Sequence, residues 1–308
     1  MKPVYLCLSA FIGAQLLAAA CAPASAPATG KPALNVLATE TFLADIAQNV
    51  AGSRVKVGAL MPMGVDPHAF EPTPADIRQV ADSHLLIVNG AGVEEFLAKL
   101  LQNAGGKRLV VEASKGLTSR KPGVGEPVDA DNPVDPHFWL DPNNVVQYVD
   151  NIRDGLSQAD PDGAATYAAN ADAYIAKLKE LDRWIAAQVA PLPPARRLLV
   201  TNHESLGYFA DRYGFKIIGA IIPSVSTEAS PSAQQLAQLV DHIKATHAPA
   251  IFLETGANPQ MAQQVARETG IQVVTELYTH SLTDANGPAP TYIDMLKYDV
   301  KAIVDALK

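Results

Sequence analysis

Seven histidines are spread along the chain, at positions 68, 84, 137, 203, 242, 247 and 280, while both cysteines, Cys7 and Cys21, fall within the first 21 residues. Beyond Cys21 a thiolate zinc site and a disulfide framework are therefore excluded. A cluster of neutral imidazoles, with no cysteine available, suits zinc and would suit copper or nickel almost as well. His137 stands in the run Asp135-Pro136-His137-Phe138-Trp139-Leu140-Asp141-Pro142, where prolines restrict the backbone and lower the entropy lost on fixing a side chain. Other motifs carry less. Asn89-Gly90-Ala91-Gly92-Val93-Glu94 lacks the third glycine of a dinucleotide fingerprint and reads as a tight strand-to-helix turn. Thr201-Asn202-His203-Glu204-Ser205 lacks the Gly-x-Ser-x-Gly of a hydrolase elbow. The acidic loop from Glu126 to Asp135, with Asp129 and Asp131, reads as solvated.

The elements that must position these side chains follow from the alternation of short β-branched runs with helical patterns, the mark of βα units and parallel sheets. One series of strands is expected at Leu34–Ala38, Val55–Leu60, Leu85–Asn89 and Arg108–Glu112, and a second at Leu198–Thr201, Lys216–Ile222, Ala250–Leu253 and Gln272–Glu276. Thr73-Pro74 and Ser230-Pro231 should start helices, and Gly52, Gly214 and Gly270 should end them. In open α/β sheets the ligand crevice lies beyond the carboxyl ends of the strands. His68, His137, His203 and His280 each follow a strand and reach that edge, two from each series. His84 precedes its strand, His242 is helical, and His247 ends a helix where a partly charged ring suits the dipole, so these three are structural or solvated. Spacing alone leaves one shared site in the cleft and four separate surface histidines equally open.

The length of 308 residues suggests two domains at roughly 150 residues each. Hydrophobic residues at 48% and charged residues at 18% are an ordinary globular mixture. A net charge of -8 with no basic run excludes nucleic acid as a partner. Residues 1–20 form an expected signal peptide, with Lys2, an apolar run from Val4 to Leu17 and Ala18-Ala19-Ala20 before Cys21. The small residues before Cys21 resemble a lipoprotein box, which implies lipidation of Cys21, with a soluble exported form as the alternative. Residues 21–33 are a Pro/Ala/Ser tether. A lobe at 34–158, a linking helix at 159–190 and a second lobe at 191–308 complete the expected organisation. Tyr167, Tyr174, Leu178, Leu181 and Ile185 set that helix's apolar stripe. A helix so long, in place of a Gly/Ser hinge, predicts limited motion between the lobes.

Asp66-Pro67-His68, the run 135–142, the segment Thr201–Phe209 and the tail Thr291–Tyr298 together resemble the zinc/manganese substrate-binding proteins of bacterial ABC importers (solute-binding cluster A-I), over nearly all of residues 34–308. The resemblance implies two pseudo-symmetric lobes, each a four-stranded parallel sheet with flanking helices, joined by one long helix with metal held between them. It implies ligands at His68, His137 and His203. Manganese members usually carry Glu where this chain has His203, which tilts the cargo to Zn²⁺, with Mn²⁺ the alternative. The family's fourth ligand, commonly Asp in Thr-Asp-Ser, lines up with Thr279-His280-Ser281, so His280 takes that place, or Asp284 if the loop is registered differently. Lys121–Val134 has no histidine and so lacks the His-rich loop of many zinc members. The implied protein is not an enzyme but a monomeric, high-affinity extracytoplasmic receptor that gives its ion to a membrane permease and its ATPase. Because imidazole binds metal only when neutral, affinity is expected to fall as pH drops through about 6.5. Rival readings are a zinc hydrolase with Glu204 as general base and an adhesive or structural surface lipoprotein whose metal is incidental.

Overall fold

The computed structural model describes residue 1, residues 34–122 and residues 134–308. Residues 2–20 of the expected signal peptide, the tether with Cys21, and Asp129 and Asp131 lie outside the described residues. The first lobe runs β1 (Val36–Ala38), α1 (Thr41–Ala51), β2 (Val57–Ala59), α2 (Pro74–Ala81), β3 (Leu85–Val88), α3 (Leu97–Ala104) and β4 (Leu109–Glu112). Next come α4 (Pro142–Ala159) and α5 (Ala164–Val189). The second lobe runs β5 (Leu198–His203), α6 (Gly207–Tyr213), β6 (Lys216–Ile222), α7 (Ala233–Thr246), β7 (Ala250–Glu254), α8 (Gln260–Thr269), β8 (Gln272–Leu277) and α9 (Tyr292–Leu307).

Both sheets are parallel throughout and share one topology, β2-β1-β3-β4 in the first and β6-β5-β7-β8 in the second. The central strands are buried on both faces, which is why Leu85-Leu86-Ile87-Val88 and Ile251-Phe252-Leu253 read as unbroken apolar runs. Strand order reverses between β1 and β3 and between β5 and β7, so each sheet has a switch point at its carboxyl edge, where loops diverge and a ligand can enter.

Most expected boundaries hold, and the exceptions have local causes. Thr73 and Asp76 form a reciprocal capping box ahead of Pro74, while Gly214 and Gly270 end α6 and α8 in the left-handed region. Helix α7 begins at Ala233, later than Ser230-Pro231 suggested, because Ser232 and Gln235 make the capping box. The linking helix begins at Ala164 after a 3₁₀ turn over Pro161–Gly163. There Asp160 is pinned by Arg54 at 2.5 Å and by the Tyr167 hydroxyl at 2.7 Å. Strand β5 extends past Thr201 to His203, whose Cα pairs with Ile222.

Helix α5, 26 residues long and so about 39 Å at 1.5 Å per residue, packs on α1 and α4 of the first lobe and on α6 and α9 of the second. Its buried stripe is Tyr167, Ala171, Tyr174, Leu178, Leu181, Ile185 and Val189. These side chains belong to one apolar core that includes Phe42 and Trp139 on one side and Tyr292 and Met295 on the other. The lobes therefore share a core, and opening them would expose it.

Candidate metal centre

Each candidate histidine is set by its own local device. His68 lies in the loop after β2, where its amide donates to Asp66 Oδ1 at 3.0 Å. Asp66 Oδ2 in turn accepts the Thr227 hydroxyl from the second lobe at 2.6 Å. His137 precedes a 3₁₀ turn over Phe138–Leu140. Its amide donates to Asp135 Oδ1 at 3.0 Å, and its Nδ1 lies 2.9 Å from the same oxygen. That contact fixes the ring's tautomer and leaves Nε2 to face inward. Trp139 then anchors the turn: its indole stacks on Phe42 with centroids 4.7 Å apart, and Nε1 donates to Thr279 O at 2.6 Å, next to His280. His203 is carried on the last residue of β5, with Nδ1 2.9 Å from Glu254 Oε2 at the end of β7.

The result is convergence. His137 Nε2 is 3.3 Å from His68 Nε2 and 3.1 Å from His203 Nε2, and all three residues are buried. Nitrogens about 2.0–2.1 Å from a tetrahedral zinc stand about 3.3–3.4 Å from one another, so these three could hold an ion with little adjustment. His280 reaches the same region differently from expectation. Its Nε2 lies 3.2 Å from Glu254 Oε2, its ring stacks on His203 with centroids 5.7 Å apart, and it is 6.5 Å by ring centroid from His68. The ligand atoms thus fall into two triads that share His203: His68, His137 and His203, and His203, Glu254 and His280. Asp284 is not brought in. It is exposed, and its carboxylate accepts the Asn286 amide at 2.8 Å inside its own turn.

The other three histidines stay away, as their positions required. His84 Nδ1 accepts the Asn35 amide at 3.0 Å at the amino edge of the first sheet; His242 and His247 are exposed, on and just after α7. The turn after β3 is stitched by Glu94, whose carboxylate accepts the amides of Asn89 at 2.6 Å and Gly90 at 3.0 Å. Its amides therefore face a carboxylate of the chain itself. Three acidic residues of the site were not singled out in advance. Asp135, read as part of a solvated loop, is buried and holds His137. Asp66 stands two residues before His68 just as Asp135 does before His137, and that repeated triplet was the available signal. Glu254 closes the apolar run of β7, where a charge at the carboxyl end of a central strand pointed to the crevice.

Burial controls the electrostatics. It pushes His68 down to about 2, with the neighbouring imidazoles of His137 and His203 disfavouring a further proton in the same direction, and holds His137 well below the ordinary imidazole range. Both rings are therefore neutral at physiological pH, the form that binds metal, and they stay neutral well below 6.5, so the fall in affinity expected there does not come from these two ligands. For His280 burial acts downward too, but the Glu254 carboxylate outweighs it and the net shift is upward. Glu254 itself is drawn well below the carboxylate range because His203 and His280 override the upward push of burial. Burial raises Asp135 to about 7, with the His137 amide pulling the other way.

Two α/β lobes on one core, with buried imidazoles meeting between them, define a metal-binding receptor of the solute-binding class. The chain belongs to the ZnuA family, zinc-uptake complex component A, periplasmic, which matches residues 36–306, and it is a metal-binding substrate-binding protein of ABC importers. It is similar to the manganese-binding lipoprotein MntA of Halalkalibacterium halodurans, with 36% identity over 274 residues covering 89% of this chain and 88% of the relative. It is similar also to the iron-binding protein YfeA of Yersinia pestis, at 33% identity over 268 residues covering 87% and 84%. Among solved structures, an S38A mutant of the Mn-bound periplasmic metal binding protein from Candidatus Liberibacter asiaticus matches with a TM-score of 0.80 at 30% identity, covering 89% of this chain and 100% of that one. The periplasmic zinc binding protein TroA from Treponema pallidum matches with a TM-score of 0.79 at 28% identity, covering 89% and 99%. Members of the family are receptors rather than enzymes, so the hydrolase reading built on Glu204 is set aside.

Proposed function

We propose that this protein captures Zn²⁺ on the outer side of the cytoplasmic membrane and delivers it to an ABC permease and its ATPase. The observation that carries the choice of zinc is the donor set: three imidazole Nε2 atoms 3.1–3.3 Å apart along the contacts His68–His137–His203, with His280 as the fourth imidazole beside them. Coordination by histidine nitrogen alone suits zinc better than manganese, which favours carboxylate and water. A closed shell also leaves no open position for a reactive water, as a carrier requires. His68, His137 and His203 act as ligands, His280 completes the shell by turning from Glu254 to the ion, and Asp135 and Glu254 orient His137 and His203 from behind. The protein works as a monomer, exported by its signal peptide and held by a lipid on Cys21.

A manganese cargo is the second reading. It is favoured by the buried carboxylate of Glu254 within 3.2 Å of His280 Nε2, which would give a mixed nitrogen and oxygen shell if the ion sat nearer the second triad. Metal analysis of protein purified without chelator, followed by competitive titration with both ions, decides between them. Zinc found at one equivalent and retained against excess manganese supports the zinc reading. Displacement of zinc by equimolar manganese overturns it.

A further inference from the structure

The histidines are buried, so the ion needs a way in. A cavity of about 340 Å³ lies between the loop carrying Gly64, Asp66 and Ala69 and the second-lobe segments after β6 and β7. Its buried lining includes Glu254 and His280, 5% and 4% exposed, and Glu254 Oε2 and His280 Nε2 have no aligned hydrogen-bond partner. Its outer lining includes Glu228, Asn258 and Ala69, all exposed. The walls carry three carboxylates, on Asp66, Glu254 and Glu228, and among the described residues that line it there is neither Lys nor Arg.

We propose that this cavity is the port through which a hydrated divalent cation enters, and that Glu228 at its rim is a capture residue that sets the association rate without ligating the bound ion. The proposal rests on the metal-receptor reading above. A cleft walled by one sign of charge and by low-dielectric protein focuses the field and raises on-rates by about 10–10³, and a rim charge acts on association and its salt dependence rather than on dissociation. Thr227 and Asn258 offer oxygen atoms along the wall that can replace hydration water in stages before the ion meets imidazole. The same walls repel an anionic complex, so the port takes the free cation in preference to one wrapped by a polycarboxylate.

Stopped-flow mixing of Zn²⁺ with metal-free protein tests this. For Glu228→Gln, association slows about 3–10-fold at roughly 10 mM ionic strength, the difference vanishes near roughly 1 M, where screening is complete over about 3 Å, and dissociation into excess chelator is unchanged. A second variant, Ala257→Trp, narrows the port and slows association and dissociation by the same factor, leaving Kd unchanged. Wild-type association by both variants at low salt, or slowing of Glu228→Gln that persists at high salt, overturns the port while leaving the receptor standing. Failure of the wild-type protein to take up Zn²⁺ overturns both.

Discussion

At the scale of single residues, what separates the site from the remaining histidines is not residue type but strand edge. His137 is buried and touches two other imidazoles, while His247 is exposed beyond the end of α7. His137→Ala is therefore expected to weaken zinc binding by at least about 100-fold, and His247→Ala to leave it within about twofold; calorimetric titration in competition with a chelator reads both, and equal losses would discredit the assignment. A second residue-scale expectation concerns the first lobe's own buried acids. The Thr39 hydroxyl lies 2.7 Å from Glu40 Oε2 and 2.8 Å from Glu94 Oε1, yet a hydroxyl donates only one proton. Glu94 already accepts two amides, so it keeps the charge and Glu40 carries the extra proton. Burial first, and then the charge of Glu94, hold Glu40 well above the carboxylate range. With the folded value raised, the associated stability is full below the unfolded value near about 4.3 and is lost as pH rises toward and through the folded one. Glu40→Gln, which mimics the protonated acid, should gain Tm relative to wild type as pH rises from 5 to 8. A gap that narrows with rising pH would contradict this.

Among elements, α5 carries the heaviest structural duty because its stripe meets helices of both lobes. Leu178 is 1% exposed in that stripe, and Leu178→Ala is expected to cost about 2–5 kcal/mol. Chemical denaturation should still show a single transition, since the lobes share one core; two separated transitions would show that the lobes unfold independently. The elements were largely legible in the sequence because periodicity and punctuation agreed: buried parallel strands appear as apolar runs, and Thr73-Pro74, Gly214 and Gly270 mark helix ends by well-understood chemistry. The misses occurred where two start signals competed, as at Ser230-Pro231 against Ser232, or where a side-chain clamp intervened, as at Asp160. The candidate site was legible as four histidines on the carboxyl edge, of which His68, His137 and His203 come together and His280 meets Glu254. Its carboxylates were not singled out: Asp66 and Asp135 each hold the histidine two residues on, a local triplet that the chain repeats, whereas Glu254 meets His203 and His280 only through contacts between segments far apart in the chain. The pairing of His280 with Glu254 was equally hidden, since it is a matter of side-chain direction that no spacing encodes.

For the whole molecule, the lobes are tied by more than α5. Tyr208 donates to Asp135 O at 2.7 Å, Tyr292 to Trp139 O at 2.6 Å, and the Gly64 amide to the Ser281 hydroxyl at 2.6 Å. Two of these ties hold the His137 segment itself, and Trp139 joins it to Thr279 beside His280, so the cleft is built largely in its final shape. Small-angle scattering of the metal-free and zinc-loaded protein should accordingly give superimposable profiles; a marked contraction on loading would mean that the lobes close like a hinge. What the fold then supplies is position: two switch points face each other, each delivers imidazoles from loops or strand ends, and the shared core keeps them there. The most direct test is X-ray absorption at the zinc edge of the loaded protein. Three or four nitrogen neighbours at about 2.0–2.1 Å, with the outer-shell scattering of imidazole rings that disappears in part on His68→Ala, is the expected spectrum. An oxygen shell without imidazole scattering would mean that these histidines, gathered from both lobes, do not hold the ion.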